Sequence, residues 1–251
     1  MGSDASQHPT QRFSSRVEAY ARYRPSYPRE TLELLERECG LTMASKIADI
    51  GSGTGLLARL FLDFGCDVTG VEPNPAMRAA GERMFSGQQR FHSVGGRAEA
   101  TTLPDSSVDF VTAGQAFHWF EHAAARAEFQ RILQPGGWVV LIWNERLVTP
   151  GFMAEHEELM NKFAREKSHP RDLEFNAFYG HANWRLARIP NRQSLDEQGL
   201  RGRIESSSWS PLPGAEAYQP MTSEINKLFL KYALDGRVTI EYETNIYYGT
   251  L

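Results

Sequence analysis

The sequence predicts an α/β protein built on a doubly wound, mostly parallel sheet with helices on both faces. Three observations predict it. Between Lys46 and Trp143, short apolar runs alternate with helix-spaced segments, the strand–helix–strand order of a parallel sheet. The runs KIADI, VDFVTAG and WVVLIW are almost continuously apolar, as strands covered on both faces must be. The first of them meets a glycine-rich turn, GSGTG, that opens a helix.

The elements follow in order. The first dozen residues, MGSDASQHPTQR, are polar and read as a tail. An aromatic and arginine segment, Phe13 to Tyr27, closes in RPSYP, and Thr31 to Glu38 has helical spacing between Pro28 and Gly40. KIADI is the first strand, LLARLFLDF the helix after it, and Gly65 its stop. DVTGVE is a strand, NPAMRAAGERMF a helix with Pro75 in its first turn, and RFHSV a strand. VDFVTAG precedes a helix from about Ala123 to Leu133, and QPGG leads into WVVLIW. FMAEHEELMNKFAREK is an amphipathic helix whose charged face is solvated. Ser168 to about Asn191 reads as irregular, RGRIESSSW as strand-like, Ala215 to Leu234 as a helix, and VTIEYETNIYYGTL as strand that completes the same sheet.

The chain has 251 residues, 41% hydrophobic and 23% charged, with a formal net charge of −4. That is globular composition, and its weak acidity gives no support to a nucleic-acid partner. Cys39 and Cys66 cannot build a disulfide framework, so a reducing, cytoplasmic setting is expected. No secretory leader is expected from the polar start, and no stretch is long and apolar enough to span a membrane.

Asp49-Ile50-Gly51-Ser52-Gly53-Thr54-Gly55 is the strongest signal. Glycines at a strand-to-helix turn let a ligand approach the backbone closely, and the helix start offers free N–H groups. Glu72 ends the next strand, where an acid hydrogen-bonds ribose hydroxyls in nucleotide-binding α/β sheets. The spacing is G-x-G-x-G, not the G-x-G-x-x-G of dinucleotide folds. Asp49 would repel a pyrophosphate and welcome an ammonium. Without a ligand, the motif is simply a tight turn.

ADIGSGTG, VEPN, AEATTLPDSSVDFVTAGQAFHWF and ILQPGG before WVVLIWN resemble, in this order, the motifs of class I S-adenosylmethionine-dependent methyltransferases. More narrowly, they are similar to the small-molecule type 11 branch that includes trans-aconitate methyltransferase-like proteins. The motifs cover residues 47 to 144, and YARYRPSYP and DGRVTIEYETNIYYGTL extend the likeness to both flanks. The resemblance implies a Rossmann-like, seven-stranded sheet, an N-terminal helical lid and an insertion after the fifth strand. It divides the chain into a tail and lid helix (1–40) and a methyltransferase domain (41–251). Within the latter lie a cofactor core (46–144), a substrate-side insertion (about 145–200) and C-terminal strands and helix (201–251).

The same resemblance implies the site. Gly51, Ser52, Gly53 and Gly55 line the methionine moiety, with Asp49 near its ammonium. Glu72 holds the ribose, flanked by Pro73 and Asn74, and Met77 packs near the adenine. The Ala98 backbone and the Glu99 side chain read the adenine edge, and Gln115 and Ala116 lie beside the methionine portion. The chain departs from the pattern at Arg97, where many relatives carry an acid, so Glu99 is the substitute there. The implied cofactor is S-adenosyl-L-methionine, with no metal, and the implied partner is a small-molecule acceptor of a monomer or homodimer.

Methyl transfer needs a nucleophile held in line, about 3 Å from the methyl carbon. A carboxylate acceptor needs no base, whereas for a phenol or amine a base contributes about 10²–10⁴ in rate. His118 is the candidate base or substrate contact and Trp119 a pocket wall; equally, both only wall the pocket. His118 and His122 are four apart but lack a third metal ligand, and HEEL at His156 is not H-E-x-x-H. Tyr20, Tyr23, Arg24 and Tyr27 form a second cluster: a lid whose Arg24 clamps a carboxylate, or a packed helix with Arg24 exposed. Tyr242, Tyr247 and Tyr248 read as sheet residues. Competing functions are a non-catalytic S-adenosylmethionine-binding protein, unusual chemistry on the same fold, and a nicotinamide-dependent oxidoreductase, whose glycine spacing is absent.

Overall fold

A computed structural model describes residues 17–164, 175–180 and 183–251. Seven strands form one sheet in the order β3-β2-β1-β4-β5-β7-β6. β1 (Lys46–Ile50), β2 (Asp67–Val71), β3 (Phe91–Val94), β4 (Val108–Gly114) and β5 (Leu133–Arg146) run parallel. β7 (Val238–Gly249) is antiparallel to both β5 and β6 (Trp184–Leu195).

Side chains alternate along each strand between two cores. On one face Ile47, Phe110, Val140 and Ile142 meet Leu32 and Leu35 of α2 (Glu30–Cys39) and Phe61 of α3 (Leu56–Phe64). On the other, Ala48, Val111, Leu141 and Trp143 meet Phe129 of α5 (His122–Ile132) and the aromatic residues of α7 (Phe175–Tyr179). A third core joins α6 (Phe152–Phe163), α8 (Glu197–Glu205) and α9 (Tyr218–Tyr232) to the start of β7.

The expected punctuation acts where it stands. Gly40 adopts φ 70° and its N–H closes α2 onto Leu35. Asn74 caps α4 (Pro75–Met84), accepting from the N–H groups of Ala76 and Met77, with Pro75 at the first helical position. α1 (Val17–Tyr23) packs through Val17 on Met77 and Ala80 of α4 and through Tyr23 on Gly202 of α8.

Two sequence expectations are corrected. RGRIESSSW does not begin as a strand: residues 197–205 are α8, capped by Asp196, whose carboxylate accepts from Gly199 N–H at 2.7 Å. Leu200 and Ile204, one turn apart, supply its buried stripe. The stretch expected to be irregular contains β6, which pairs along its whole length with β7. β6 is a sheet edge, half open to water, so Pro190 and its arginines are tolerated. It lies inside the span expected to be the insertion. The part of that stretch between 168 and 174 lies outside the described residues, as do the tail and Phe13 to Arg16.

Candidate functional site

A cleft of about 430 Å³ opens at the carboxyl ends of β1, β2 and β4. β1 and β4 flank the point where the strand order reverses, the usual ligand crevice of an open α/β sheet. Gly51 forms part of its wall at φ 66°. A Cβ there would sit 2.7 Å from Ala116 Cβ, closer than such atoms pack, so the position accepts only glycine without a shift. Gly53, Pro73, Asn74, Met77, Ala98, Glu99, Gln115 and Ala116 line the same cavity, with Tyr20 and Trp119 at its rim.

Glu72 follows β2 directly, with its carboxylate in this cleft. One oxygen accepts from Gly53 N–H and the other from Asn74 N–H, both at 2.8 Å. A carboxylate has about four lone-pair sites, so both oxygens can still accept from a ligand. Burial raises its pKa, opposed by those two amides and by Arg78. Asp49, two residues before Gly51, is 1% exposed. Its Oδ1 accepts from the Thr112 hydroxyl at 3.1 Å, and its Oδ2 has no hydrogen bond. Burial lifts its pKa to about 7, against the pull of Thr112 and of the Ala58 amide in the first turn of α3.

The opposite wall is held from several elements. Glu99 Oε1 accepts from Glu121 N–H at 2.8 Å, so one of its oxygens is already engaged. Arg97 lines the wall beside it. Gln115 follows β4 at φ 60°, a conformation rare outside glycine, and its amide donates to Asn144 O at 3.3 Å.

Not every expected residue reaches the cleft. Gly55 caps α3 and faces Phe85, so its positive φ serves the turn rather than the cavity wall. The Ser52 hydroxyl lies 2.9 Å from where Gly70 would carry a Cβ, over β2. Tyr27 is buried in the core, its hydroxyl against Gly114. His118 stands exposed on the single 3₁₀ turn Phe117–Trp119, outside the cleft lining. The reason is periodicity: with three residues per turn, anchoring Phe117 in the aromatic core turns His118 outward. His118 is thus the expected catalytic and substrate residue that the cleft lining does not include. His122 stacks on Phe117 at 4.2 Å, which accounts for that histidine too. No metal-binding cluster is found among the described residues.

Arg24, for which an exposed position was one alternative, is half-buried, its guanidinium 4.8 Å over the Tyr20 ring and its Nη2 donating to Ser206 O at 3.0 Å. Asn144 and Asn191 both donate to Ser26 O, which pins RPSYP over the sheet's carboxyl end. Sequence reading missed Thr112, Asn144, Phe120, Glu121 and Arg203. Only Asp196, as a helix cap, signalled that Arg203 belongs on a helix.

Residues 48–141 match the family model described as a methyltransferase domain. The chain is 37% identical over 150 residues to an uncharacterised methyltransferase of Mycobacterium tuberculosis, covering 60% of this chain and 59% of that protein. It is 31% identical over 151 residues to an uncharacterised methyltransferase of Schizosaccharomyces pombe, with 60% and 59% covered. These alignments therefore span 59% of the relatives' own length. Among solved structures, Haemonchus contortus phosphoethanolamine N-methyltransferase 2 in complex with S-adenosyl-L-methionine superposes with a TM-score of 0.55 at 18% identity, covering 96% of this chain and 58% of that one. A protein assigned to methyltransferases of an antibiotic biosynthesis pathway in Anabaena variabilis gives 0.65 at 23%, covering 92% and 100%. At these identities the two structures show the shared fold. Among the described residues, no helix is long and apolar enough to cross a membrane.

Proposed function

We propose that this chain, whose residues 48–141 carry a domain of the methyltransferase family, is an S-adenosylmethionine-dependent methyltransferase acting on a small-molecule acceptor. One observation carries the reading: a glycine-walled cleft at the sheet's reversal point holds a doubly anchored Glu72, with Asp49 buried outside its lining, two residues before Gly51.

The residues suit that donor. At Gly51, where a Cβ would clash with Ala116, the bare backbone itself walls the cavity. The Asp49 carboxylate keeps a buried oxygen without a partner, where an ammonium would supply the missing hydrogen bond and charge. The Glu72 oxygens, oriented by Gly53 and Asn74, retain acceptor capacity for two ribose hydroxyls. Met77 and Ala98 offer apolar surface for a base.

S-adenosylmethionine supplies, when bound, an electrophilic methyl group on a sulfonium. The protein's part is to orient, to exclude water and to position the acceptor. Trp119 and Phe120 wall the cleft against solvent. α1 sets Tyr20 at its rim, and the Ser26 anchor fixes the segment that follows α1. With His118 exposed and outside the cleft lining, this reading assigns the chain no dedicated base, which suits an acceptor that is already a nucleophile at neutral pH.

Calorimetric titration with S-adenosylmethionine and with S-adenosylhomocysteine tests the proposal. Binding of both is expected; no heat at millimolar ligand would sink it. Single-turnover assays with labelled donor and mixed acceptors then separate an enzyme from a protein that only binds the donor.

A further inference from the structure

Beside the donor cleft lies a cationic cluster without a counter-ion among the described residues. Arginines nearer the surface find carboxylates: Arg131 pairs with Glu128 and Asp105, Arg185 with Glu38, Arg188 with Glu243. Two inner arginines do not. Arg203 on α8 is 4% exposed, and its hydrogen bonds go to the Tyr242 hydroxyl at 3.0 Å and, more weakly, to Ser207 Oγ at 3.5 Å. Arg24 gives Nη2 to Ser206 O, while its Nε is sealed from solvent with no hydrogen bond. Neither forms an ion pair with a described residue. That inverts the ordinary rule, by which buried charges are paired.

Among the described residues the surroundings add no negative charge. Arg146 is nearby, already matched by Glu157 at 2.9 Å. His156, 1% exposed, has no hydrogen bond at either ring nitrogen, and burial together with Arg146 and Arg203 keeps it neutral. Burial and then the charge of Arg203 depress the Arg24 pKa to about 10. Two tyrosines, not carboxylates, are what favour its charged form.

The cluster is also built. Tyr242 donates to Gln193 Oε1 at 3.3 Å, and Gln193 donates to Tyr23 O at 2.9 Å. This chain ties β7, β6 and α1 around Arg203 and fixes its Nε edge. Arg24 Nη1 and Arg203 Nη2 make no hydrogen bond to described residues. Arg24 lies over the Tyr20 ring, and Tyr20 lines the donor cleft, so the cluster adjoins the reacting space.

We infer that Arg24 and Arg203 form an anion subsite that takes a carboxylate or phosphate group of the methyl acceptor. This rests on the methyltransferase reading and deepens it: the acceptor is an oxyanion-bearing small molecule, held by its charge from the α1–α8 side. Planar guanidinium groups suit such oxygens in two-point contacts. Tyr242, expected to be a sheet residue only, becomes a positioning residue for Arg203.

Thermal unfolding of the full chain tests this, with succinate and inorganic phosphate as probes against chloride of equal ionic strength, with and without S-adenosylhomocysteine. At about 10 mM, at least one probe is expected to raise the wild-type midpoint by about 2–4 °C over chloride. Succinate alone assigns a carboxylate, phosphate alone a phosphate. Arg203→Met should lose the increment while its midpoint in chloride stays level or rises, because an unpaired buried charge has gone. Arg24→Gln carries the same comparison if Arg203→Met does not fold. No increment in the wild type, or an increment kept by the variants, overturns the subsite. Calorimetric binding of S-adenosylhomocysteine without any anion response overturns it alone; loss of that binding overturns the donor reading.

Discussion

Asp49→Asn tests the electrostatics of the site most directly. The wild-type carboxyl is 1% exposed and its pKa moves from 3.8 to about 7, chiefly through burial. Such a rise corresponds to about 4 kcal/mol of folding free energy. The native state holds this proton to higher pH than the unfolded chain does. The contribution is therefore present in full below pH 3.8 and lost as pH rises to about 7. Between about pH 5 and pH 8 the wild type should lose about 3 kcal/mol through this group, and the asparagine variant none of it. Urea denaturation of both proteins across that range gives the difference. Parallel curves, within about 0.5 kcal/mol, would refute the burial argument for Asp49. Donor binding provides the complementary sign. An ammonium favours the ionised carboxylate, so wild-type affinity for S-adenosylhomocysteine should fall about tenfold per pH unit below the Asp49 pKa. Asp49→Asn should bind weakly at every pH in that range.

Glu72→Ala leaves the Gly53 and Asn74 amides without their acceptor and removes the expected ribose contact. Donor affinity should weaken by about 1.5–3 kcal/mol, read by calorimetry; unchanged affinity removes Glu72 from that role. His118→Ala should change the single-turnover rate by less than the factor of about 10²–10⁴ that loss of a general base brings. A loss of that size would return His118 to the reaction.

The core of the fold was legible because its signals are local. KIADI meeting GSGTG, Asn74-Pro75 opening a helix and Gly40 or Gly65 closing one are each decided within a few residues. The second half was less legible for a physical reason. β6 is an edge strand whose exposed positions are Arg185, Arg188, Pro190, Arg192 and Ser194, and polar Asn191 and Gln193 take partly buried places, so apolar alternation breaks off after Ile189. α8 carries Gly199 and Gly202, poor helix formers, because Tyr23 must pack where a side chain at 202 would stand. For His118 the sequence gives the loop after β4 but not which way a 3₁₀ turn faces.

By itself the sequence determined the alternation of strands and helices between residues 46 and 144, the glycine turn and the acids beside it, since each is decided by residues a few positions apart. Tertiary structure alone decided which of those residues share a cavity. Gly51 and Gly53 face the cleft while Gly55 faces Phe85, although the three alternate in sequence. It also decided that Arg24 and Arg203, 179 positions apart in the numbering, lie together without a carboxylate partner among the described residues. Charge pairing between distant segments depends on packing, not on local pattern, so nothing in either segment announces it.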